Sequence, residues 1–126
     1  MRTMLKSKIH RATVTEANIH YEGSITLDPE LMDAAGILQY EMVHVLDVDN
    51  GARLETYTIP GPRGSRIVQM NGAAARLIQK GDKIIILSYS ITPEEEATNA
   101  KPKLVYVNGR NEITQINDTV LKPERA

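Results

Sequence analysis

The pentapeptide Tyr21-Glu22-Gly23-Ser24-Ile25 lies where one extended segment of the chain ends and the next begins. Residues 4–20, before it, are rich in Thr, Val and Ile and contain no Gly or Pro, which predicts a long strand that bends midway. Residues 24–27 resume extended structure after the break at Glu22-Gly23. The chain is therefore predicted to open with two strands joined at a Gly-Ser bond.

A Gly-Ser bond is also a place where a chain can cleave itself. A serine hydroxyl folded back onto the preceding carbonyl can attack it, and glycine lacks the Cβ that would obstruct the strained backbone. The resulting ester can break by elimination and leave a pyruvoyl group, a ketone able to form a Schiff base and to accept electrons without pyridoxal phosphate. Most Gly-Ser pairs are ordinary turns, so Gly23-Ser24 alone does not decide the matter.

The rest of the chain alternates between predicted strands and short helices. Asp28-Pro29 predicts a helix N-cap followed by proline, and Gly36 can end that helix in the left-handed conformation. Asn50-Gly51 and Asn108-Gly109 are hairpin signals. The other expected elements are strands at 42–48, 53–59, 66–70, 84–87, 104–107 and 112–116, a loop at 60–65, a helix at 73–80 closed by Gly81, and a capping box at 92–95. The pattern alone favours a small β-rich barrel or an α+β domain.

Two of these segments carry a further expectation. Residues 84–87 are continuously apolar, which predicts a strand buried on both faces. The tail after Asn117 is polar and is expected to be loosely held.

Composition limits the class of protein. The 126 residues suit one domain, and a core without Phe or Trp must be filled by Val, Ile, Leu, Met and Ala. The absence of cysteine excludes disulfides and thiolate chemistry, and the net charge of -1 offers no general attraction for nucleic acid or anionic membrane. No His pairs at metal-ligand spacing, so no metal is expected. Without a signal peptide or a long apolar run, the default expectation is a soluble cytoplasmic protein that has no membrane partner.

Several sequence blocks in fixed order make a more specific match. They are Lys8-Ile9-His10-Arg11-Ala12-Thr13-Val14-Thr15, Ile19-His20-Tyr21-Glu22-Gly23-Ser24, Asp33-Ala34-Ala35-Gly36-Ile37-Leu38, Asn50-Gly51 with Arg53 and Thr56-Tyr57, Arg63-Gly64-Ser65-Arg66, and Asn71-Gly72-Ala73-Ala74-Ala75. In content and spacing the chain resembles the aspartate 1-decarboxylase family from Met4 to about Ile116. The resemblance implies a mainly β fold, a six-stranded double-psi β-barrel with a few short helices, assembled as a homotetramer. It also implies a lyase that converts L-aspartate to β-alanine and carbon dioxide for pantothenate and coenzyme A synthesis.

The resemblance further implies self-cleavage of a zymogen into residues 1–23 and 24–126. Ser24 would become the pyruvoyl group and form the Schiff base with substrate, so neither pyridoxal phosphate nor a metal is needed. Thr56 would hold the Gly23 carbonyl during the acyl shift, Asn71 would stabilise the oxyanion, and Tyr57 would return a proton after decarboxylation. The implied substrate-binding residues are Lys8, His10, Arg53, Gly72, Ala73 and Ala74.

Strand alternation adds one geometric expectation. It puts Arg53, Glu55 and Tyr57 on one face of a strand and Thr56 on the other. Thr56 is then not expected to line the same side of one pocket as its neighbours, which favours active sites at subunit interfaces. The acidity of Glu55 beside the proposed anion site has no explanation at this level.

Two other functions remain open on sequence grounds. One is a catalytically inactive β-barrel that serves as an interaction module, in which Lys8 and Arg53 would be ordinary solvated residues. The other is a pyruvoyl decarboxylase for a different amino acid. The joint presence of Gly23-Ser24, Lys8, Arg53, Thr56, Tyr57 and Asn71 favours the aspartate enzyme, since an interaction module has no use for that set. The sequence is compatible both with spontaneous maturation and with maturation assisted by a partner protein.

Overall fold

Strands dominate the structure, a computed structural model in which residues 1–120 are described. The strands are β1 Arg2–Thr13, β2 Glu16–Asn18, β3 Ser24–Leu27, β4 Met42–Asp47, β5 Arg53–Pro60, β6 Val68–Asn71, β7 Lys83–Thr92, β8 Lys103–Val107 and β9 Ile113–Asn117. The helices are α1 Pro29–Ala35, a 3₁₀-helix Gly72–Arg76, and α2 Glu94–Ala97. Among the described residues, no helix is long and apolar enough to span a membrane. Residues 121–126, most of the tail expected to be loosely held, lie outside the described part.

Six strands form a closed ring. The strand order is β2-β6-β3-β5-β4-β7-β1-β8-β9, so β1 and β2 stand far apart in it although only two residues separate them in the chain. Those two residues bridge the gap, because Val14 donates to the Asp82 carbonyl and Thr15 to the Val68 carbonyl. If β1 and β2 count as one strand, they form a ring with β3 to β7, and the β8–β9 hairpin extends it from β1. The mainly β prediction is confirmed. Residues 1–120 contain nine strands rather than six because the first strand is broken and the hairpin adds two.

The barrel interior is filled by aliphatic side chains, as the composition requires. Fully buried members include Ile9, Ile25, Leu27, Val43, Val45, Val68, Met70, Ile78, Ile84 and Ile86. Alternate residues of each strand point into this cluster. Burying a side chain of this size contributes roughly 1.5–3 kcal/mol. The side chains that alternate with these core residues point away from the core, and some of them line the surface clefts described below.

The first helix agrees with its sequence signals. The Asp28 carboxylate accepts a hydrogen bond from the Glu30 nitrogen at 2.9 Å, Pro29 opens α1, and Gly36 ends it at a φ of 67°. The Asn50-Gly51 turn is also confirmed, with Gly51 at a φ of 76°. In the last hairpin the left-handed residue is Asn111 rather than Gly109.

The first predicted strand, 4–20, was too long. Arg11 has a φ of 63°, and the pairing of β1 with β7 shifts register between Ile9 and Ala12. This bulge bends the strand, and β1 ends at Thr13 before β2 begins. The strand expected at 66–70 begins only at Val68, because Arg66 has a φ of 58°.

The helix predicted at 73–80 is also wrong. A 3₁₀-helix covers Gly72–Arg76 instead. Ile78 is fully buried in the core, and Gly81 donates to the Val14 carbonyl on the barrel wall. The chain must turn inward to make both contacts, so the helix ends early.

Two smaller predictions fail for local reasons. Ile84 and Ile86 are fully buried, whereas the residues between and after them, Ile85 and Leu87, are partly exposed, so β7 is not buried on both faces in this chain. The capping box at 92–95 does not form. The Thr92 hydroxyl pairs with the hydroxyl of Ser90, and α2 starts without a side-chain cap.

Candidate active site

A surface cleft opens beside Gly23. Its volume is about 290 Å³, and its lining consists of Gly23, Leu54, Glu55, Thr56, Ala73, Ala74 and Leu77. The cleft exists because β3, which begins at Ser24, pairs with β5 on one side and β6 on the other. Strand β5 carries Thr56 to the cleft, and the turn after β6 carries the two alanines.

The Ser24 side chain is held at the base of this region. Ser24 is 2 % exposed, and its hydroxyl donates to the Glu22 carbonyl at 3.1 Å. It also accepts a hydrogen bond of 3.0 Å from the Asn71 amide, which lies directly across the β3–β6 ladder. These two hydrogen bonds hold the Ser24 hydroxyl toward Glu22, which precedes the Gly23-Ser24 bond in the chain.

Asn71 is itself fixed on three sides. Its amide nitrogen donates to the hydroxyls of Ser24 and Thr26, at 3.0 and 2.9 Å, and its carbonyl oxygen accepts from Gln69 at 2.8 Å. With 1 % exposure, the side chain has no room to swing away. A buried amide with both ends satisfied is a rigid donor.

The backbones of two glycines meet next to this serine. Gly72 has a φ of 71°, and a β-carbon at that position would lie 2.7 Å from the nitrogen and α-carbon of Gly23. Gly23 itself has open space where a β-carbon would be. The expectation that a side chain at Gly23 would be obstructed is therefore not supported in this conformation. The steric demand for glycine falls on Gly72.

Arg53 lines a neighbouring cavity of about 360 Å³, with His44, Leu46, Leu54 and Glu55. Within residues 1–120, no carboxylate oxygen lies within 4.0 Å of its guanidinium. Glu55, whose role was open, is instead 3.2 Å from His44, and His44 is hydrogen-bonded to the Tyr89 hydroxyl at 2.8 Å. The Glu55 carboxylate therefore does not neutralise Arg53.

Lys8 and His10 lie together on another part of the surface. The Lys8 ammonium is 5.9 Å from the centre of the Tyr106 ring, and His10 packs edge-on against the same ring at 5.4 Å. Burial and the charges of Lys8 and Arg11 lower the pKa of His10. Its Nδ1 is buried without a hydrogen-bond partner in the described chain. Neither Lys8 nor His10 lines the cleft beside Gly23.

Tyr57 and Thr56 take different surroundings. Ile25 pairs with Thr58 in parallel register, so Tyr57 stands beside Ser24 one position earlier on both strands. The Tyr57 ring packs against Tyr40 at 6.2 Å. Thr56 shares the Gly23 cleft, which Arg53 does not line, while Glu55 lines both cavities. Arg53 and Thr56 thus line different cavities, as strand alternation predicts. The expectation that Thr56 shares no pocket with its neighbours is not met, because Glu55 lines the Gly23 cleft together with Thr56.

The structure thus places the predicted residues in three locations, with the Tyr57 ring packed apart from them against Tyr40. Gly23, Ser24, Thr56, Asn71, Gly72, Ala73 and Ala74 lie around one cleft. Lys8 and His10 lie elsewhere on the same chain, and Arg53 occupies the adjoining cavity. Sequence reasoning missed Gln69, His44 and Tyr89, because their contacts depend on which strands pair, and no local motif signals that.

Comparison of the sequence with known proteins identifies its family. The family model described as aspartate decarboxylase matches residues 1–114. An aspartate 1-decarboxylase from Carboxydothermus hydrogenoformans is 61% identical over 92% of this chain and 91% of its own length. That of Dehalococcoides mccartyi is 59% identical over 93% of this chain and 94% of its own length, and that of Bacillus subtilis 55% identical over 91% of both chains.

The family model covers most of the chain, and these relatives match over nearly their full lengths. Because the matches extend over nearly the whole of both chains, the similarity is not confined to a fragment shared with an unrelated protein. The chain therefore belongs to the aspartate decarboxylase family, the carboxy-lyases that convert L-aspartate to β-alanine for pantothenate synthesis.

Proposed function

We propose that this chain cleaves itself between Gly23 and Ser24 and that residue 24, converted to a pyruvoyl group, serves the decarboxylation of L-aspartate. The observation that carries this proposal is the hydrogen bond from the buried Asn71 amide to the Ser24 hydroxyl. It fixes a nucleophile beside a backbone carbonyl at the edge of a cleft. An ordinary turn serine has no comparable arrangement.

Cleavage begins with attack of the Ser24 oxygen on the Gly23 carbonyl carbon. The C–N bond breaks, the serine nitrogen takes up the hydroxyl proton, and an ester joins the two residues. Loss of the Ser24 α-proton then expels the Gly23 carboxylate, and hydrolysis of the resulting enamine releases ammonia and leaves a ketone. Asn71 stabilises the oxyanion of the first step, and Thr56 holds the Gly23 carbonyl from the cleft. A donor of this kind is worth roughly 10²–10³ in rate.

The residues around Ser24 fit the group that this sequence of steps creates. Its carbon atoms are those of Ser24, water supplies the ketone oxygen in the hydrolysis step, and loss of the Gly23 linkage would open residue 24 to a cleft of about 290 Å³. A pyruvoyl group at residue 24 would supply the electron sink for the electron pair released with carbon dioxide. Gly72, Ala73 and Ala74 then bound the substrate with small side chains and leave room for it.

Arg53 and Lys8 hold the substrate carboxylates. Neither has a carboxylate partner within 4.0 Å among residues 1–120, whereas Arg2, Lys6, Arg63 and Arg66 all do. A guanidinium can meet a carboxylate with two parallel hydrogen bonds, and charged hydrogen bonds of this kind contribute roughly 1.5–3 kcal/mol. His10 lies beside Lys8, and its buried Nδ1 has no hydrogen-bond partner within residues 1–120. Together the two residues form the second side of the proposed site.

Tyr57 returns a proton to the former α-carbon after carbon dioxide has left. A tyrosine hydroxyl is a proton donor in its neutral form. Because Ile25 pairs with Thr58 in the parallel β3–β5 register, the backbone of Tyr57 lies next to that of Ser24. Its half-buried ring, packed against Tyr40, limits its motion.

The site is completed between subunits of a homotetramer. Lys8 and His10 do not line the Gly23 cleft of their own chain, so a second copy must supply them. A surface suited to this contact is the apolar face formed by Leu38, Tyr40, Met42 and Ile91, each more than half exposed. Met42 and Ile91 share an apolar cavity of about 470 Å³. Exposed apolar patches of this kind mark protein contacts.

Substitution of the serine tests the pyruvoyl mechanism. Ser24→Ala removes the nucleophile and no core packing, so the variant is expected to fold, to remain uncleaved, and to form no β-alanine from L-aspartate. Ser65→Ala, an exposed serine in the loop before β6, is the matched control and is expected to cleave and turn over normally. Release of carbon dioxide by folded Ser24→Ala at the parent rate would overturn the proposal.

A further inference from the structure

Three aspartates meet at the end of β4, on the hairpin and turn that flank it. Asp47 ends β4, Asp49 lies in the following turn, and Asp82 precedes β7. One carboxylate oxygen from each comes within 4.8 Å of the others. Within residues 1–120, none of the three carboxylates lies within 4.0 Å of a charged Lys or Arg side-chain nitrogen or of a His ring nitrogen. Three adjacent negative charges are therefore left without a compensating cation from the described residues.

Each carboxylate uses one oxygen to bind backbone. Asp47 Oδ1 accepts from the Asp49 nitrogen at 2.8 Å, Asp49 Oδ2 accepts from the Lys83 nitrogen at 2.8 Å, and Asp82 Oδ2 accepts from the Gln79 nitrogen at 3.0 Å. These bonds orient the carboxylates and leave a second oxygen on each for another ligand. Support of this kind from outer hydrogen bonds is typical of groups that hold metals.

The decisive observation is the second oxygen of Asp47. The residue is 3 % exposed, and its Oδ2 is buried with no hydrogen-bond partner in the described chain. A buried carboxylate oxygen with nothing to neutralise it is strongly unfavourable, since neither water nor a donor compensates the charge. The Asp47 carboxylate has an oxygen within 4.8 Å of an oxygen of both Asp49 and Asp82, so its charged neighbours in the cluster are acids as well.

We propose that Asp47, Asp49 and Asp82 bind a hard divalent cation such as Mg²⁺, Mn²⁺ or Ca²⁺. Carboxylate oxygens are the ligands these ions prefer, and water would complete the coordination on the side of exposed Asp49. The ion would tie the β4–β5 hairpin to the start of β7. The site is independent of the decarboxylation chemistry, because none of the three residues lines the cleft beside Gly23.

The oxygen-only ligand set also selects among metals. It contains neither sulfur nor imidazole, so it disfavours Zn²⁺ and Cu²⁺ relative to sites that have them.

Titration of the purified full chain with MnCl₂ at about pH 7.5 tests the proposal, with free Mn²⁺ measured by electron paramagnetic resonance. We expect one site per chain with a Kd of roughly 10⁻⁵ to 10⁻³ M, displaced by Ca²⁺ or Mg²⁺. Asp47→Asn retains the acceptor for the Asp49 nitrogen and is expected to fold, which circular dichroism would check. It should weaken Mn²⁺ binding about tenfold or more, and Asp82→Asn should do the same. Asp118→Asn, an exposed acid remote from the cluster, is the control and should bind like the parent.

Two results would overturn the proposal. One is the lack of saturable Mn²⁺ binding up to about 10 mM, well above the expected range. The other is undiminished binding by folded Asp47→Asn and Asp82→Asn. Because the readout is metal binding rather than β-alanine formation, neither result depends on the proposed decarboxylation mechanism.

Discussion

Gly72 packs against Gly23 so closely that a β-carbon on Gly72 would lie 2.7 Å from the Gly23 nitrogen. The contact joins the turn after β6 to the bond proposed to break, only one residue from Asn71, which holds the Ser24 hydroxyl. The position of the Gly23 backbone relative to Ser24 and Asn71 therefore depends on the absence of a side chain at residue 72.

Gly72→Ala should impair both folding stability and cleavage at Gly23-Ser24. Gly36→Ala is the matched control, because Gly36 has a φ of 67°, close to the 71° of Gly72, but open space around its missing β-carbon. The control should lose only about 1 kcal/mol of unfolding free energy from the left-handed conformation. Gly72→Ala should lose clearly more, as measured by urea unfolding, and yield less cleaved chain by mass spectrometry. Equal losses for the two variants would show that the contact with Gly23 is unimportant.

Thr56 and Tyr57 should fail at different stages. Thr56→Val keeps the shape of the side chain and removes the hydroxyl proposed to hold the Gly23 carbonyl, so the variant should remain largely uncleaved. Tyr57→Phe keeps the ring against Tyr40 and removes the transferable proton. It should cleave normally while β-alanine formation falls by roughly 10²–10⁴. An uncleaved Tyr57→Phe, or a cleaved and fully active one, would remove Tyr57 from the role of proton donor.

Arg53→Ala should reduce kcat/KM for L-aspartate by roughly 10- to 100-fold, the equivalent of one lost charged hydrogen-bond pair. The unfolding midpoint should barely move, because the Arg53 side chain is exposed and makes no ion pair within residues 1–120. Arg110→Ala, another exposed arginine, is the control and should leave the kinetics unchanged. Parent-like kinetics of Arg53→Ala would reduce Arg53 to a solvated strand residue.

Asp28 should make the protein sensitive to acid. Burial alone would raise its pKa, but hydrogen bonds from the Glu30, Gly64 and Arg66 nitrogens outweigh this and lower it. Because the pKa of the folded state lies below that of the unfolded state, the stabilisation is complete above the ordinary aspartate pKa. It is lost as the pH falls through the folded value.

Asp28→Asn should therefore lose roughly 1.5–3 kcal/mol at neutral pH and show a weaker decline of stability in acid. Urea unfolding at a series of pH values from about 3 to about 7 would measure both effects. Asp33→Asn is the control, since Asp33 is exposed and its ion pair with Arg63 is worth about 1 kcal/mol or less. A neutral-pH loss no larger than that of Asp33→Asn would contradict the proposed role of Asp28.

Local signals in the sequence predicted most of the elements, whereas the two largest failures arise from contacts with distant parts of the chain. Asp28-Pro29 and Gly36 bound α1 as expected, because capping involves only neighbouring residues. The bulge at Arg11 and the short 3₁₀-helix after Gly72 depend on contacts with distant strands. No periodicity within residues 4–20 or 73–80 could have shown them.

The candidate site divides in the same way. The block resemblance identified Ser24, Thr56 and Asn71, but their meeting requires β3 to pair with both β5 and β6, which spacing alone does not specify. The pairing of His44 with Glu55 across β4 and β5 explained a carboxylate that the sequence left without a role. Asp47 and Asp82 come together although they are far apart in the chain, so their cluster was invisible in the sequence.

Intact-mass analysis of the purified protein tests the central claim most directly. We predict two fragments, residues 1–23 and residues 24–126, the second lacking the nitrogen of Ser24 and carrying a ketone in its place. Ser24→Ala purified in parallel should give a single uncleaved mass. If the parent chain shows only its full-length mass after prolonged warm incubation, self-cleavage at Gly23-Ser24 and the pyruvoyl mechanism are both contradicted.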